Sequence, residues 1–168
     1  MENLRIGQGY DVHPMAPNRP CILGGVTIPT EDGRGPDGHS DADVLIHAVI
    51  DAMLGSCAVG DIGTLFPDTD PSLENADSTE MLREVIDALN AEVGWKVVNL
   101  DCTIFAARPK IGPHVNAIRL SLSKLLNTSI DRISVKSKSG NRCLGMIGQG
   151  DAIGASATIL ATINERTY

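Results

Sequence analysis

The stretch DAIGASATILATIN at residues 151–164 constrains the fold more than any other, because Ile153, Ala155, Ala157, Ile159, Ala161 and Ile163 recur at strict period two. Successive residues of a strand point to opposite faces, so this run reads as a long strand with one continuous face of small and branched apolar side chains. So small an apolar face is also compatible with burial in an oligomer. Such a strand needs neighbours. LRIGQGYDV reads as a first strand and CILGGVTIP as a short second strand or hairpin, with the proline-rich run 14–20 as the turn between them. KVVNLDCTIFA supplies a strand in which Val98, Leu100, Cys102 and Ile104 share a face, and RISVKS another.

Helices provide the cover. From 43 to about 58, the spacing of Val44, Leu45, Ala48, Val49, Ala52 and Met53 predicts an amphipathic helix that Ser40 or Asp41 can cap. In ADSTEMLREVIDALNAEVG, Asp77 three before Glu80 resembles a capping box, Met81, Leu82, Val85, Ile86 and Leu89 form the stripe, and Gly94 ends it. A third helix is expected from near Pro113 to about Leu126. The order β-β-α-α-β-α-β-β predicts an α+β fold, an α/β sandwich with a mixed sheet and helices packed on one face. At 168 residues the chain fits one domain, 1–168, with the Gly/Pro/Asp-rich stretches 30–38 and 60–76 as loops inside it.

A net charge of −7 and only 3% aromatic residues argue against a nucleic-acid partner, which needs a basic field and stacking platforms. The charge of an anionic small molecule would have to be met by metals or local amides. Cys21, Cys57, Cys102 and Cys143 form no CxxC pair, the pattern of a reducing compartment, and are expected to be packed. No basic-then-apolar leader opens the sequence, and the longest apolar run, VLIHAVIDAMLGSCAVG, is broken by His47 and Asp51. The expectation is a soluble, cytoplasmic protein with no membrane partner.

In GQGYDVHP, Asp11 and His13 lie two apart in the first strand, so both point one way while Val12 is expected to enter the core. His47 in the first helix offers a third ligand, and Asp51, at i+4 from it, is an outer partner or an ordinary solvated residue. One carboxylate and two imidazoles suit tetrahedral Zn²⁺ with its fourth position open. On spacing alone such a pair is far more often an ordinary DxH than a metal site, and a lone His47 more often a satisfied helix histidine. GHSDADVLIHAVIDAMLG and GDIGTLFPDTD add clustered His, Ser, Asp and Gly that a sheet could bring near the strand end.

GYDVH, ILGGVTIP, GHSDADVLIHAVIDAMLG, GDIGTLFPDTDP, ADSTEMLRE and ARPKIGPH follow one another in an order and spacing that resemble the 2-C-methyl-D-erythritol 2,4-cyclodiphosphate synthase family, over nearly the whole chain. The resemblance implies a homotrimer with its sheets facing the three-fold axis and with active sites between subunits, each holding zinc and a second ion, Mg²⁺ or Mn²⁺. The implied reaction is attack of the 2-phosphate of 4-diphosphocytidyl-2-C-methyl-D-erythritol 2-phosphate on its own β-phosphate, closing a cyclic diphosphate and expelling CMP. An internal phosphate nucleophile needs no activated side chain, and no convincing Ser-His-Asp or Cys-His set is evident.

By the same resemblance Asp11, His13 and His47 are the zinc ligands, and the segment Asp11, Val12, His13 also meets substrate. His39 and Ser40 contact phosphate, with His39 the transition-state stabiliser, although a helix cap explains Ser40 equally well. Asp61, Ile62 and Gly63 match the pocket for the erythritol hydroxyls, and Phe66, Pro67, Asp68, Thr69 and Asp70 a loop that covers substrate. Ala106, Ala107, Arg108, Pro109, Lys110, Ile111 and Gly112 align with a cytidine pocket contributed by the adjacent subunit.

The chain departs from the family pattern after the sixth strand. Where two threonines and a magnesium-binding glutamate are usual, it reads SKSGNRCLGMIGQGD. Ser139 can replace a threonine hydroxyl as a catalytic group, Lys138 or Arg142 can neutralise phosphate, and Asn141 offers a neutral oxygen in place of a carboxylate. Gly140, Met146 and Gln149 complete this part of the implied substrate site. A neutral amide is a poor ligand for a hard cation, so the second ion is expected to be held mainly by substrate phosphates. Gln149 and Ser156 stand where the family's trimer channel often carries an Arg and a Glu, which argues against an isoprenoid diphosphate binding there, while Tyr10 would still face the channel. Two other readings remain at this point: a zinc-dependent phosphohydrolase, and a module that binds cytidine nucleotides without turnover.

Overall fold

A computed structural model describes residues 3–164. In chain order the elements are β1 (Asn3–Pro17), β2 (Cys21–Leu23), β3 (Val26–Ile28), β4 (Arg34–Pro36), α1 (Val44–Cys57), the single turn α2 (Ile62–Leu65), α3 (Ser78–Val93) and β5 (Lys96–Phe105). They continue with α4 (Val115–Leu125), β6 (Ile133–Lys138), the single turn α5 (Met146–Gln149) and β7 (Ala152–Ile163). The period-two segment is β7, the middle of a five-stranded sheet ordered β4-β1-β7-β5-β6. It runs antiparallel to β1 and to β5, while β5 and β6 are parallel, so the sheet is mixed. β2 and β3 form a separate hairpin. The arrangement is α+β.

The core face of β7, from Ile153 to Ile163, is buried beneath α1, which lies across β1 and β7. The approach is very close. A Cβ added at Gly9 would sit 2.1 Å from the Ala48 carbonyl oxygen, and one at Gly7 1.8 Å from that of Ala52. Strand backbone and helix backbone are therefore in direct contact, which only glycine permits. α3 packs on α1, and α4 covers β6. Trp95 anchors the far end: its Nε1–H donates to Ser56 Oγ at 3.0 Å, and Ser56 donates to the Met53 carbonyl at 2.7 Å.

Several expectations are corrected. α1 is not amphipathic: Ile46, Ile50 and Leu54 are buried along with the expected stripe, because the sheet lies below the helix and other elements above. Its cap is Asp43 rather than Ser40 or Asp41. The Asp43 carboxylate accepts from the Leu45 and Ile46 amides and also from those of Gly24 and Gly25, tying the hairpin turn to the helix start. Asp77 caps α3 through the Thr79 amide, whereas Glu80 pairs with Arg83 instead of closing a box. The run 14–20 is not a turn throughout, since β1 continues to Pro17, pairing Met15, Ala16 and Pro17 with β4 inside the expected loop. Val98 leaves the core face because the β5–β7 register shifts between Val97 and Asn99, a bulge that turns Val97 inward.

Val12 is likewise not in the core. The sheet is covered on one side only, and β1 presents Leu4, Ile6, Tyr10 and Val12 on the other, exposed at 63, 71, 51 and 45%. Among the cysteines, Cys21, Cys57 and Cys102 are buried as expected, and burial pushes the Cys21 and Cys102 thiols up to about 12; Cys143 is exposed. No described helix is long and apolar enough to cross a membrane.

Candidate active site

Asp11 and His13 share the face of β1 that α1 covers, and α1 delivers His47 to them because Gly7 and Gly9 let it settle onto the strand. Asp11 Oδ2 lies 2.9 Å from His13 Nε2 and 3.0 Å from His47 Nδ1, and the two ring nitrogens are 3.3 Å apart. His13 Nδ1 lies 2.8 Å from the Asp37 carbonyl, to which it donates, so Nε2 is the nitrogen turned inward. The ring fits beneath Gly38, where a Cβ would come within 2.8 Å of it. Burial by itself would raise the Asp11 pKa, but the two imidazoles beside it, His13 and His47, outweigh that and hold the carboxyl well below the usual range. Burial likewise opposes a charge on His13, yet Asp11 and the Asp37 carbonyl raise its pKa above 6.5.

The three donor atoms converge within 4.8 Å of one another, and among the described residues no other group of His, Cys, Asp and Glu does so. Three potential electron-pair donors brought to one point can share a cation. Ligands on a tetrahedral ion at bonds of about 2.0–2.1 Å would stand roughly 3.3 Å apart, close to the separations found. The chemistry of the set therefore fits a metal.

The far nitrogen of His47, Nε2, lies 3.0 Å from Ser78 Oγ and 3.2 Å from Ser40 Oγ. With Asp11 on the near nitrogen, this copies the order of a Ser-His-Asp triad, but proton counting rules out a nucleophile. Ser78 gives its single hydroxyl proton to Asp41 Oδ1, so toward His47 it can only accept. Nε2 carries the proton, and His47 cannot withdraw one from Ser40. The Ser40 oxygen accepts from the Ala42 amide as well.

Around the ligand set lies a cavity of about 470 Å³, lined by Asp11, His13, Gly38, His39, Ser40, His47, Ile62, Gly63, Phe66, Pro67 and Asp68 among others. Of the substrate residues expected in the first half of the chain, Asp11, His13, His39, Ser40, Ile62, Gly63, Phe66, Pro67 and Asp68 meet here, whereas Asp61, Thr69 and Asp70 are not among the lining residues and Val12 points through the sheet to its open face. His39 Nε2–H donates to the Asp70 carbonyl at 2.8 Å. Asp61 Oδ1 is engaged in capping α2, accepting from the Thr64 amide and hydroxyl, which hold its carboxyl below the usual range. Asp70 Oδ1 caps the following turn through Ser72. Asp51 is neither a partner of His47 nor an idle surface residue, because it accepts the Ile62 amide at 2.8 Å and so fixes the 61–63 turn.

The remaining expected residues lie elsewhere in this chain. Ala107, Arg108, Pro109 and Lys110 line a second cavity, about 490 Å³, with Pro29, Thr30, Glu31, Asp32, Pro113 and His114. Ala106 and Ile111 turn into the core, and Gly112 opens a short 3-10 turn. Lys138 ends β6; Ser139 Oγ donates to Asn141 Oδ1 at 3.4 Å, and Met146 is largely exposed. The Gln149 carbonyl accepts from Arg108 at 2.8 Å, joining 138–149 to the second cavity rather than to the metal-ligand set.

Sequence reasoning missed Arg19, Asp41 and Ser78. The Arg19 guanidinium donates to the carbonyls of Pro36, Gly38 and Ser40 and to Asn75 Oδ1, stapling the loop that carries His39 and Ser40. No periodic signal marks it. The second Asp of SDAD was the one available hint that Asp41 and Asp43 do different work.

Fold and site together define an α+β protein with an Asp/His/His metal-ligand set where the central sheet meets its covering helix. The model of the YgbB family matches residues 4–162, and the chain belongs to that family. It is 51% identical over 156 residues, 93% of this chain and 96% of the relative, to a Bacillus cereus protein named 2-C-methyl-D-erythritol 2,4-cyclodiphosphate synthase. Among solved structures it resembles the bifunctional IspDF of Campylobacter jejuni, with a TM-score of 0.89 and 34% identity, over 98% of this chain and only 44% of that longer one. It also resembles the IspF CDP complex of Plasmodium falciparum, with a TM-score of 0.81 and 33% identity, over 98% of this chain and 99% of that one.

Proposed function

We propose that this chain cyclises 4-diphosphocytidyl-2-C-methyl-D-erythritol 2-phosphate to 2-C-methyl-D-erythritol 2,4-cyclodiphosphate with release of CMP, a lyase step of the non-mevalonate isoprenoid pathway. One observation carries the reading: Asp11, His13 and His47 converge on a cavity whose nearest serine cannot be activated. A site built this way suits a reaction whose nucleophile belongs to the substrate.

The ion best matched to two imidazoles and a carboxylate is zinc, which when bound would act as a Lewis acid toward a phosphate oxygen. The residues do the rest. Ser40 accepts from the Ala42 amide and faces His47 Nε2–H, so its own proton is free to meet a phosphate oxygen in the cavity. His39, held by the Asp70 carbonyl, lines the same space. Ile62 and Gly63, fixed through Asp51, offer a wall for the polyol. Holding the two phosphates of one molecule together converts the attack into a unimolecular step.

The cavity lined by Ala107, Arg108, Pro109 and Lys110 takes the cytidine of a substrate bound mainly to a neighbouring subunit, in keeping with the CDP complex of the Plasmodium relative. The apolar open face of β1 supports a homotrimer with sheets facing the three-fold axis. Ser139, Lys138, Gly140, Asn141, Met146 and Gln149 approach the phosphates only in that assembly. With Asn141 in place of a carboxylate, Mg²⁺ or Mn²⁺ is held mainly by the substrate's phosphates.

Phosphorus NMR of the zinc-loaded protein with this substrate, as Mg²⁺ is stepped from none to excess, tests the reading. A cyclic diphosphate appearing with CMP is the expected result. CMP with open-chain phosphates only would make the protein a hydrolase, and nucleotide binding without turnover would make it a binding module.

A further inference from the structure

The polar groups behind His47 form a second layer with a definite proton order. Ser78, fully buried at the first residue of α3, receives the His47 Nε2–H and passes its own hydroxyl proton to Asp41 Oδ1, while its backbone N–H donates to Asp41 Oδ2 at 3.2 Å. Asp41 Oδ1 also accepts the Asp43 amide. The loop carrying Asp41 is itself strapped to the segment leading into α3: the Asp41 amide donates to the Ala76 carbonyl at 3.0 Å and the Asn75 amide to the His39 carbonyl at 2.8 Å.

We propose that Asp41 and Ser78 are positioning residues that lock His47 in the tautomer with Nδ1 unprotonated and aimed at the metal, so that metal affinity depends on α3 being seated against the 38–43 loop. This rests on the reading of Asp11, His13 and His47 as metal ligands. The argument is one of counting. A carboxylate accepts only, so the Ser78 proton is committed; a hydroxyl whose proton is committed accepts only, so Nε2 must donate; a neutral imidazole has one proton, so Nδ1 presents a lone pair. Removing the Ser78 hydroxyl leaves only Ser40 behind His47. Ser40 retains a free proton, so it can donate to Nε2 as readily as accept from it, and the tautomer is no longer fixed. Partners behind a metal-ligating histidine act in this way, and their loss weakens metal binding by about 10- to 100-fold.

The test uses full-length protein stripped of metal, Zn²⁺ titrated against a chromophoric chelator, and nitrogen-15 NMR of the histidine rings. Ser78→Ala and Asp41→Asn should lower zinc affinity by about 10- to 100-fold and move the His47 nitrogen shifts from a single tautomer to a mixture. Ser56→Ala is the control: it deletes a buried α1 serine of comparable bonding, 3% exposed, and should reduce stability while leaving affinity and tautomer unchanged. Should Ser78→Ala fail to fold, Asp41→Asn, which preserves volume, carries the same expectation. Unchanged zinc affinity and an unchanged His47 signature in a folded variant would overturn the proposal. A wild-type protein that binds no zinc would overturn the metal reading itself and this inference with it, a result distinct from the first.

Discussion

Asp11 offers one oxygen to two imidazoles, and that sharing makes its contribution depend on pH from both sides. Its pKa is depressed below the ordinary 3.8, so its share of stability in the metal-free protein is present above that pH and lost only as pH falls through the depressed value. The His13 pKa is raised above 6.5, so its share is present below that pH and lost as pH rises through the raised value. The stability advantage of metal-free wild type over Asp11→Asn should therefore peak between about pH 4 and 6.5 and shrink at higher pH, as read from urea midpoints. A difference that stays flat from about pH 4 to 8 would refute this account. Zinc reverses the slope, because a proton must leave His13 before the ion can bind, so affinity should climb through the same range. The pair was legible in the sequence because two-residue spacing on a strand fixes side-chain direction. Arg19, Asp41 and Ser78 were not, since each acts through contacts between segments far apart in the chain, which leave no local pattern.

At the level of elements, the union of β1 with α1 is what assembles the site. Gly9→Ala would drive a methyl group into the Ala48 carbonyl, and the expected loss is about 3 kcal/mol or more, beyond ordinary overpacking because the obstacle is backbone. Zinc affinity should fall with it as His47 is lifted away from Asp11. Gly55→Ala, within α1 itself and with the Gln8 carbonyl oxygen 3.9 Å from the added methyl, should instead stabilise by about 1 kcal/mol through helix propensity. Urea denaturation of the two variants separates close approach from a general intolerance of change in this helix; equal losses would defeat the explanation. The existence of these elements could be read from periodicity, and the left-handed Gly94 ending α3 from its residue type. Where the reading slipped, tertiary contacts decided. Asp43 became the cap because the hairpin amides of Gly24 and Gly25 needed the same carboxylate, and β1 ran on through its prolines because β4 was there to pair with it.

For the molecule as a whole, fold class followed from the order of patterned segments, and the placement of the ligand set from motifs agreeing over nearly the full chain. The direction of Val12 did not, because alternation says which residues share a face and not which face the helices will cover. The uncovered face also makes a prediction: Ile6→Asp, at a position 71% exposed in the single chain, should yield monomers by sedimentation that still bind zinc but no longer turn over substrate. Assembly that survives this change would place the interface elsewhere. β1 thus has two rows of residues with unrelated duties, metal ligands on one side and Leu4, Ile6, Tyr10 and Val12 on the other. Because the rows interleave one for one, exchanging letters disturbs one duty at a time, whereas inserting or deleting a single residue between 3 and 13 would exchange both rows at once. The strand therefore tolerates a change of residue far better than a change of length, which the connections around it can absorb.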